Sequence, residues 1–343
     1  MPSDPWKKLP SPHAGPRAVI GNAAQKLQAK VKAQKIDWPE PGDPLEGAGP
    51  GEWQHKAMAD ETGFLPKVCP VRPLGFEGEN YFFEDTKGQV FCTGTAAFGV
   101  ERIQKLFSGH EKFLYWAWPA KEAKKLRIDP GFKAERVRRD LYAAADARGP
   151  WNMVDMVRGR GAWLDGDGRL VLHCGEYLYI DGALEPTGDR GEHFYVRRPS
   201  ALVPWSEPVD VDDNPAVELF NAFATWNLVR GDVDALLLLG WIGVALMGAA
   251  LNWRPSAFIV GGAGTGKSEL QKLIRQVLGR SMISSTNATE AGLYQQVGHD
   301  SLPIGIDEME GEDAPAQNAK IIKMARDAAS GSLRIRGGAD HKG

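Results

Sequence analysis

Cysteine is scarce in this chain: Cys69, Cys92 and Cys174 are its three, and no two form a C-x-x-C pair. That spacing excludes a disulfide framework and a cysteine-built zinc site. The thiols read as reduced and buried, in a chain expected in the cytoplasm. His173 stands beside Cys174 but brings no further ligands with it. Charge of one sign is missing too. Lys and Arg total 41 against 44 Asp and Glu, a net charge of −3. Nucleic-acid binding, if present, must therefore come from local patches. No secretory signal is read at the start, where the residues are polar and rich in proline and lysine. Long apolar runs are absent but for one, at 235–251, near the lower length limit for a membrane span. Asp232 and Asp234 precede it and a phosphate-binding pattern follows it closely. It is expected to be a helix buried in a nucleotide-binding domain, with no membrane partner. Internal repeats are absent.

What is present is a glycine-rich loop. Residues 257–268 read AFIVGGAGTGKS: an apolar run, then Gly261, Gly262, Ala263, Gly264, Thr265, Gly266, Lys267 and Ser268, then the helix-like ELQKLIRQVLG. The match to G-x-x-x-x-G-K-[ST] is complete and has the right context, an expected strand before and a helix after. Glycines let consecutive N–H groups turn inward around a phosphate chain, and the helix N-terminus adds its positive dipole end. Lys267 is expected to reach the β- and γ-phosphates of ATP, and the Ser268 hydroxyl to ligate Mg²⁺.

A phosphate cradle needs an acidic partner for the metal. Forty residues after Lys267 comes LPIGIDEME, an apolar stretch ending in Asp307 and Glu308. It reads as a neighbouring strand of a parallel sheet, although Pro303 suits only the strand's start or an edge and Gly305 weakens its interior. Asp307 is expected to hold Mg²⁺, and Glu308 to orient and deprotonate an attacking water. A base beside the γ-phosphate favours hydrolysis over phosphoryl transfer to a small molecule, so a P-loop phosphotransferase is the weaker enzyme reading.

The chain divides into three. Residues 1–54 cluster proline, glycine and charge and read as a flexible, disordered linker or tail. Residues 55–204 read as an α+β accessory domain. LGFEGENYFFEDTKGQVFCTG reads as a hairpin turning at Thr86–Gly88, and GAWLDGDGRLVLHCGEYLYIDG as strands joined at Asp165–Gly168. Two glycine-terminated helical stretches lie between them. Within 101–140, eleven Lys/Arg face six Asp/Glu, with Trp116 and Trp118 among them. That mixture suits either single-stranded nucleic acid or, preferred here, a solvated helix face over core tryptophans. RGRG at 158–161 reads as a turn or a phosphate contact. Residues 205–343 begin helically and then alternate: helix 267–279, strand near 282–285, helix 289–297, the Asp-Glu strand, helix 315–330. That order predicts an α/β P-loop ATPase core, a parallel sheet with flanking helices.

GGAGTGKS, TNATEAGLYQQVGHDSLPIGIDEME and AKIIKMARDAASGSLRIRGG together resemble the helicase-like ATPases of phages, plasmids and integrated elements, in or near superfamily 3 of the AAA+ class. These often form the C-terminal half of primase–helicases. The resemblance covers about 150–343. It implies an ATP-hydrolysing DNA helicase or translocase working as a homo-hexameric ring, with single-stranded DNA in the channel and a primase or other replication protein as partner. It also implies DNA contacts from Lys320, Lys323, Arg334, Arg336 and Lys342. Residues 315–343 carry six Lys/Arg against two Asp, which suits that role, although an ordinary solvated helix and strand end fits as well. The family's next strand, with its polar sensor, and its arginine finger are not found before Gly343. The ATPase domain is therefore expected to be incomplete at its C-terminus and weakly active, with Arg326 a candidate for the trans-acting arginine. The alternative is a non-catalytic, ATP-binding replication or packaging scaffold.

Overall fold

The computed structural model describes residues 49–54, 58–120, 131–201, 204, 209, 214–285, 290–306 and 314–330. In the first part, β1 (Arg72–Glu77), β2 (Asn80–Glu84) and β3 (Val90–Gly94) form an antiparallel meander. The expected hairpin is thus its second half. There Asp85 Oδ1 accepts the N–H groups of Lys87 and Gln89 at 2.8 and 2.9 Å, the side-chain chemistry of an Asx turn. The first half turns at Gly78, where φ is +59°.

Three helices pack with this sheet: α1 (Val100–Leu106), α2 (Glu111–Ala117) and α3 (Ala134–Arg148). Helix α3 buries Val137, Leu141, Ala144 and Ala145, one helical face, and stops at Gly149. The core they enclose is aromatic, with Phe83, Phe98, Phe107, Phe113 and Trp118 all fully buried. Trp118 Nε1 donates to Asp140 Oδ2 at 2.8 Å, and Trp116 is also buried. Both tryptophans are core residues, which removes the base-stacking reading of 101–140 as far as it rests on them. Trp53, inside the segment expected to be flexible, belongs to the same core. It meets Trp118 edge to face at 5.8 Å and donates to the Ala117 carbonyl, so the packed region begins upstream of the expected boundary at 54.

A short helix, α4 (Met153–Met156), is capped by Asn152, whose Oδ1 accepts two first-turn N–H groups. It leads to β4 (Val157–Arg158). Then β5 (Gly161–Leu164), β6 (Leu170–His173), β7 (Tyr177–Ile180) and β8 (Ala183–Pro186) form an antiparallel sheet in chain order. The turn at 165–168 lies where the sequence places it. The β7–β8 turn uses Asp181 and Gly182, both at positive φ, as a two-residue type I′ turn requires. A third small sheet joins β10 (Phe194–Tyr195) to β4 and to β9 (Gly188–Asp189).

The later part is helical, with one small sheet. Helices α5 (Pro215–Ala224), α6 (Asp232–Leu246) and α7 (Lys267–Leu278) share a core of Phe223, Ala235, Ile242, Leu270, Ile274 and Leu278. After them come β11 (Ile283–Ser285), α8 (Glu290–Val297), β12 (Ile304–Ile306) and α9 (Ala314–Ala329). Strands β11 and β12 pair in parallel, Ile283 opposite Ile304 and Ser285 opposite Ile306; Pro303 lies just outside β12, where its missing N–H costs no ladder bond.

The structure departs from two expectations. The strand before the glycine-rich loop does not form: residues 254–260 carry no regular structure, with Phe258 59% and Val260 90% exposed. A strand needs a paired neighbour, and none among the described residues reaches it. The segment is held instead by Arg254, whose N–H and guanidinium donate to the carbonyls of Ala329, Ala328 and Gly248. The apolar run at 235–251 is likewise not a buried helix. It forms most of α6 and a 3₁₀ turn at Gly248–Ala250, and only Ala235 and Ile242 are buried in α6. Helices α5 and α7 cover one face of this apolar run, leaving Leu236 and Leu237 exposed. The chain is thus a set of helices with several small sheets. Among the described residues the expected parallel sheet is represented by two strands, and no helix is long and apolar enough to cross a membrane.

Candidate nucleotide-binding site

The glycine-rich loop runs directly into α7. Gly264 and Gly266 have φ of +76° and +82°, the left-handed region that favours glycine. Between them Thr265 Oγ1 donates to the Gly262 carbonyl at 2.9 Å. Gly266 is the helix N-cap, and no side chain caps the first turn. The leading N–H groups of a helix have no intrahelical partners, so this end presents donors and the dipole's positive end together. Lys267, the first helical residue, folds back over the loop: its Nζ donates to the carbonyls of Gly261 at 2.6 Å and Gly262 at 3.0 Å. Ser268 is exposed at the same helix end.

The loop is anchored from beneath. Leu270, Ile274 and Leu278 recur at helical spacing and sit in the α5–α7 core. Trp226 is the residue that sequence reading missed. Its Nε1 donates to the Gly266 carbonyl at 3.1 Å, and a Cβ on Gly266 would come within 3.0 Å of that nitrogen. Trp226 lies 40 residues upstream, and no local pattern links it to the loop.

The acidic half is only approached. Strand β12 ends at Ile306, immediately before Asp307 and Glu308, which themselves lie outside the described residues. Of the DNA-contact candidates, Lys320 and Lys323 are exposed on α9, as is Arg326, while Ile321 on the same helix is buried; Arg334, Arg336 and Lys342 lie outside the described residues. Among the described residues no group of three or more His, Cys, Asp or Glu is placed to hold a metal ion. The chemistry of the loop fits a triphosphate, with a cationic side chain, a hydroxyl and a helix N-terminus gathered at one point.

A separate cleft of about 510 Å³ lies on the accessory sheet, bordered by Asp165, Arg169, Glu185, Arg190, Glu192 and His193 among others. Its arginines are already matched, Arg169 with Asp165 at 2.8 Å and Arg190 with Glu185 at 2.5 Å. His173, by contrast, is a structural residue. Its Nδ1 accepts the Gly175 N–H at 3.1 Å and its Nε2 faces the Val196 carbonyl at 2.8 Å. That pair of contacts fixes the tautomer with the proton on Nε2. Burial holds its pKa down to about 4. Burial also pushes the Cys174 thiol up to about 12, which leaves it an inert core group. All three cysteines are free. No family model, no curated protein and no solved structure matches this chain.

Proposed function

We propose that the chain binds and hydrolyses ATP as a subunit of a DNA helicase or translocase, built on a P-loop ATPase core and serving replication of a phage or mobile element. One observation carries the nucleotide half of this reading. A complete G-x-x-x-x-G-K-S loop stands at the uncapped N-terminus of α7, with Lys267 turned over it. The loop N–H groups and Lys267 would hold the phosphates, and Ser268 with Asp307 would hold Mg²⁺. Bound Mg²⁺ would supply charge neutralisation at the β- and γ-oxygens. Glu308 would orient the attacking water and accept its proton. The DNA half rests on the family resemblance and on the basic stretch that starts with Lys320 and Lys323. Ring assembly of identical copies and a primase partner belong to the same reading.

The scaffold reading, in which ATP binds without turnover, draws support from one feature. Residues 257–260 form no strand that would tie the loop rigidly to β12. A single experiment separates the two: ATP binding and hydrolysis by residues 1–343, with and without single-stranded DNA, beside Lys267→Ala and Glu308→Gln. DNA-stimulated turnover lost in both variants, with binding kept in Glu308→Gln, supports the motor. Lys267-dependent binding without turnover selects the scaffold. Binding indifferent to Lys267 overturns both.

A further inference from the structure

The RGRG run at 158–161 is not a free turn; it is clamped onto the segment that leads into β12. The Arg160 backbone N–H donates to Asp300 Oδ1 at 2.7 Å, and its guanidinium donates to Asp300 Oδ2 through Nε at 3.1 Å and Nη2 at 2.6 Å. The Asp300 side chain is 6% exposed and that of Arg160 20%. The backbones join as well. The Gly159 N–H donates to the His299 carbonyl at 2.8 Å and the Ser301 N–H to the Arg160 carbonyl at 2.6 Å. Gly161 and Ser301 form a parallel bridge, which continues the edge of the β5–β8 sheet into the P-loop half. A third element closes the clamp: the Ala249 N–H, just past α6, donates to Ser301 Oγ at 2.6 Å.

The alternation of arginine and glycine follows from this packing. A Cβ on Gly159 would meet the His299 carbonyl at 2.7 Å, and one on Gly161 the Ser301 carbonyl carbon at 2.8 Å. On Gly248 it would meet the Ser301 carbonyl oxygen at 2.5 Å. All three are closer than real Cβ atoms come, so only glycine permits the approach. Of the two arginines, Arg158 stacks over Trp163 at 4.6 Å and meets His193 at 2.8 Å, while Arg160 takes the buried carboxylate.

We propose that Arg160 is a positioning residue for hydrolysis: through Asp300 and Ser301 it fixes β12, the strand that ends at Ile306, next in sequence to the acidic pair of the ATPase reading. This rests on the ATPase reading above. A largely buried ion pair, with two guanidinium N–H groups on one carboxylate oxygen and the Arg160 backbone N–H on the other, selects one arrangement over its alternatives. Misplacing a base beside its reacting atom costs rate more than it costs ground-state binding. The accessory region therefore acts on turnover while leaving nucleotide affinity to the loop.

The test uses the full chain with Arg160→Ala, Arg160→Lys, Asp300→Asn and Lys267→Ala. Nucleotide affinity is read with a fluorescent ATP analogue, hydrolysis at saturating ATP, and backbone opening by amide hydrogen exchange. In Arg160→Ala and Asp300→Asn we expect unchanged affinity, hydrolysis reduced about tenfold or more, and about tenfold faster exchange at 302–306 with 270–278 unaltered. Arg160→Lys should restore part of both. Unchanged exchange at 302–306 overturns the proposal, as does hydrolysis that falls only in step with affinity. Failure of the ATPase reading looks different: Lys267→Ala would bind the analogue like the parent. A parent that does not turn over overturns the role in hydrolysis, and exchange at 302–306 then reads only whether the clamp holds β12. A variant that unfolds outright would accelerate exchange at 270–278 too, and Arg160→Lys, which keeps the charge, then carries the comparison.

Discussion

The accessory region and the half that carries the glycine-rich loop bury their apolar residues very differently. Of the twelve largest fully buried side chains among the described residues, eleven lie between Leu65 and Tyr195, and the twelfth, Phe223, belongs to the later part. Exposure runs the other way: of fifteen large apolar residues left exposed among the described ones, eleven follow residue 205. The first region has closed a core around aromatic rings in edge-to-face and tilted contact, such as Trp118 with Phe107 and Phe113. The second has a seam along α5, α6 and α7, and apolar side chains on the outer face of α6. Stability is thus concentrated in one region and the candidate chemistry in the other. The Arg160–Asp300 clamp is one of the places where the first holds the second.

The largest effect should come from cutting into the closed core. Trp118→Ala removes a fully buried ring and leaves the Asp140 carboxylate without its indole donor. About 3–5 kcal/mol of unfolding free energy should be lost, read by urea titration of the aromatic fluorescence signal. A loss below about 1 kcal/mol would mean that the accessory core is no better packed than the helical seam, and the contrast would collapse.

Acid should attack the same region through His173. Its native pKa of about 4 lies below the usual 6.5, so the unfolded chain takes up the proton first. The stabilisation is complete above about pH 6.5 and is lost as pH falls toward 4, where both states are protonated. That difference corresponds to roughly 3 kcal/mol. Chemical denaturation between pH 7 and 4.5 should show the decline in the parent and a much flatter profile in His173→Gln. An unchanged slope in the variant would move the acid sensitivity elsewhere.

What the sequence revealed follows the same division between local and remote. Helix α3 and its stop at Gly149, the turn at Asp165–Gly168 and the loop from Gly261 to Ser268 are encoded within a few residues, and each was legible. The missing strand at 257–260 was not, because apolar content specifies burial and only a partner strand specifies pairing. The solvent-facing side of α6 escaped notice for a related reason: an apolar run does not state which faces find a neighbour. Trp226 beneath Gly266 and Asp300 against Arg160 are matched across 40 and 140 residues, distances at which composition carries no signal. The Arg-Gly alternation at 158–161 was the one trace of the clamp, and it named neither partner nor position.

Glu84 gives a smaller effect of opposite sign. Burial, opposed by Arg72 and aided by Asp189 and Asp85, pushes its carboxyl up to about 7, and its Oε2 has no hydrogen-bond partner among the described residues. A raised carboxyl pKa means that the native state prefers the protonated form. Stability is then present below about pH 4.5 and lost as pH rises through 7. Glu84→Gln keeps the shape without the charge and should gain on the order of 1–2 kcal/mol at pH 8 and nothing at pH 4.5. A gain equal at both pH values would come from packing and not from ionisation.

The smallest effect should come from the outer face of α6. Leu236 and Leu237 are 60% and 54% exposed, so replacing both with glutamine removes little buried area and should change stability by less than about 0.5 kcal/mol. Thermal melts at several protein concentrations sharpen the point. If the face is bare in solution, the parent and the Leu236→Gln/Leu237→Gln double variant melt alike at every concentration. If a second copy covers it, as ring assembly would allow, the parent's midpoint rises with concentration and the variant's does not. The later half would then owe its stability to assembly, whereas the accessory region owes its own to the rings it has already buried.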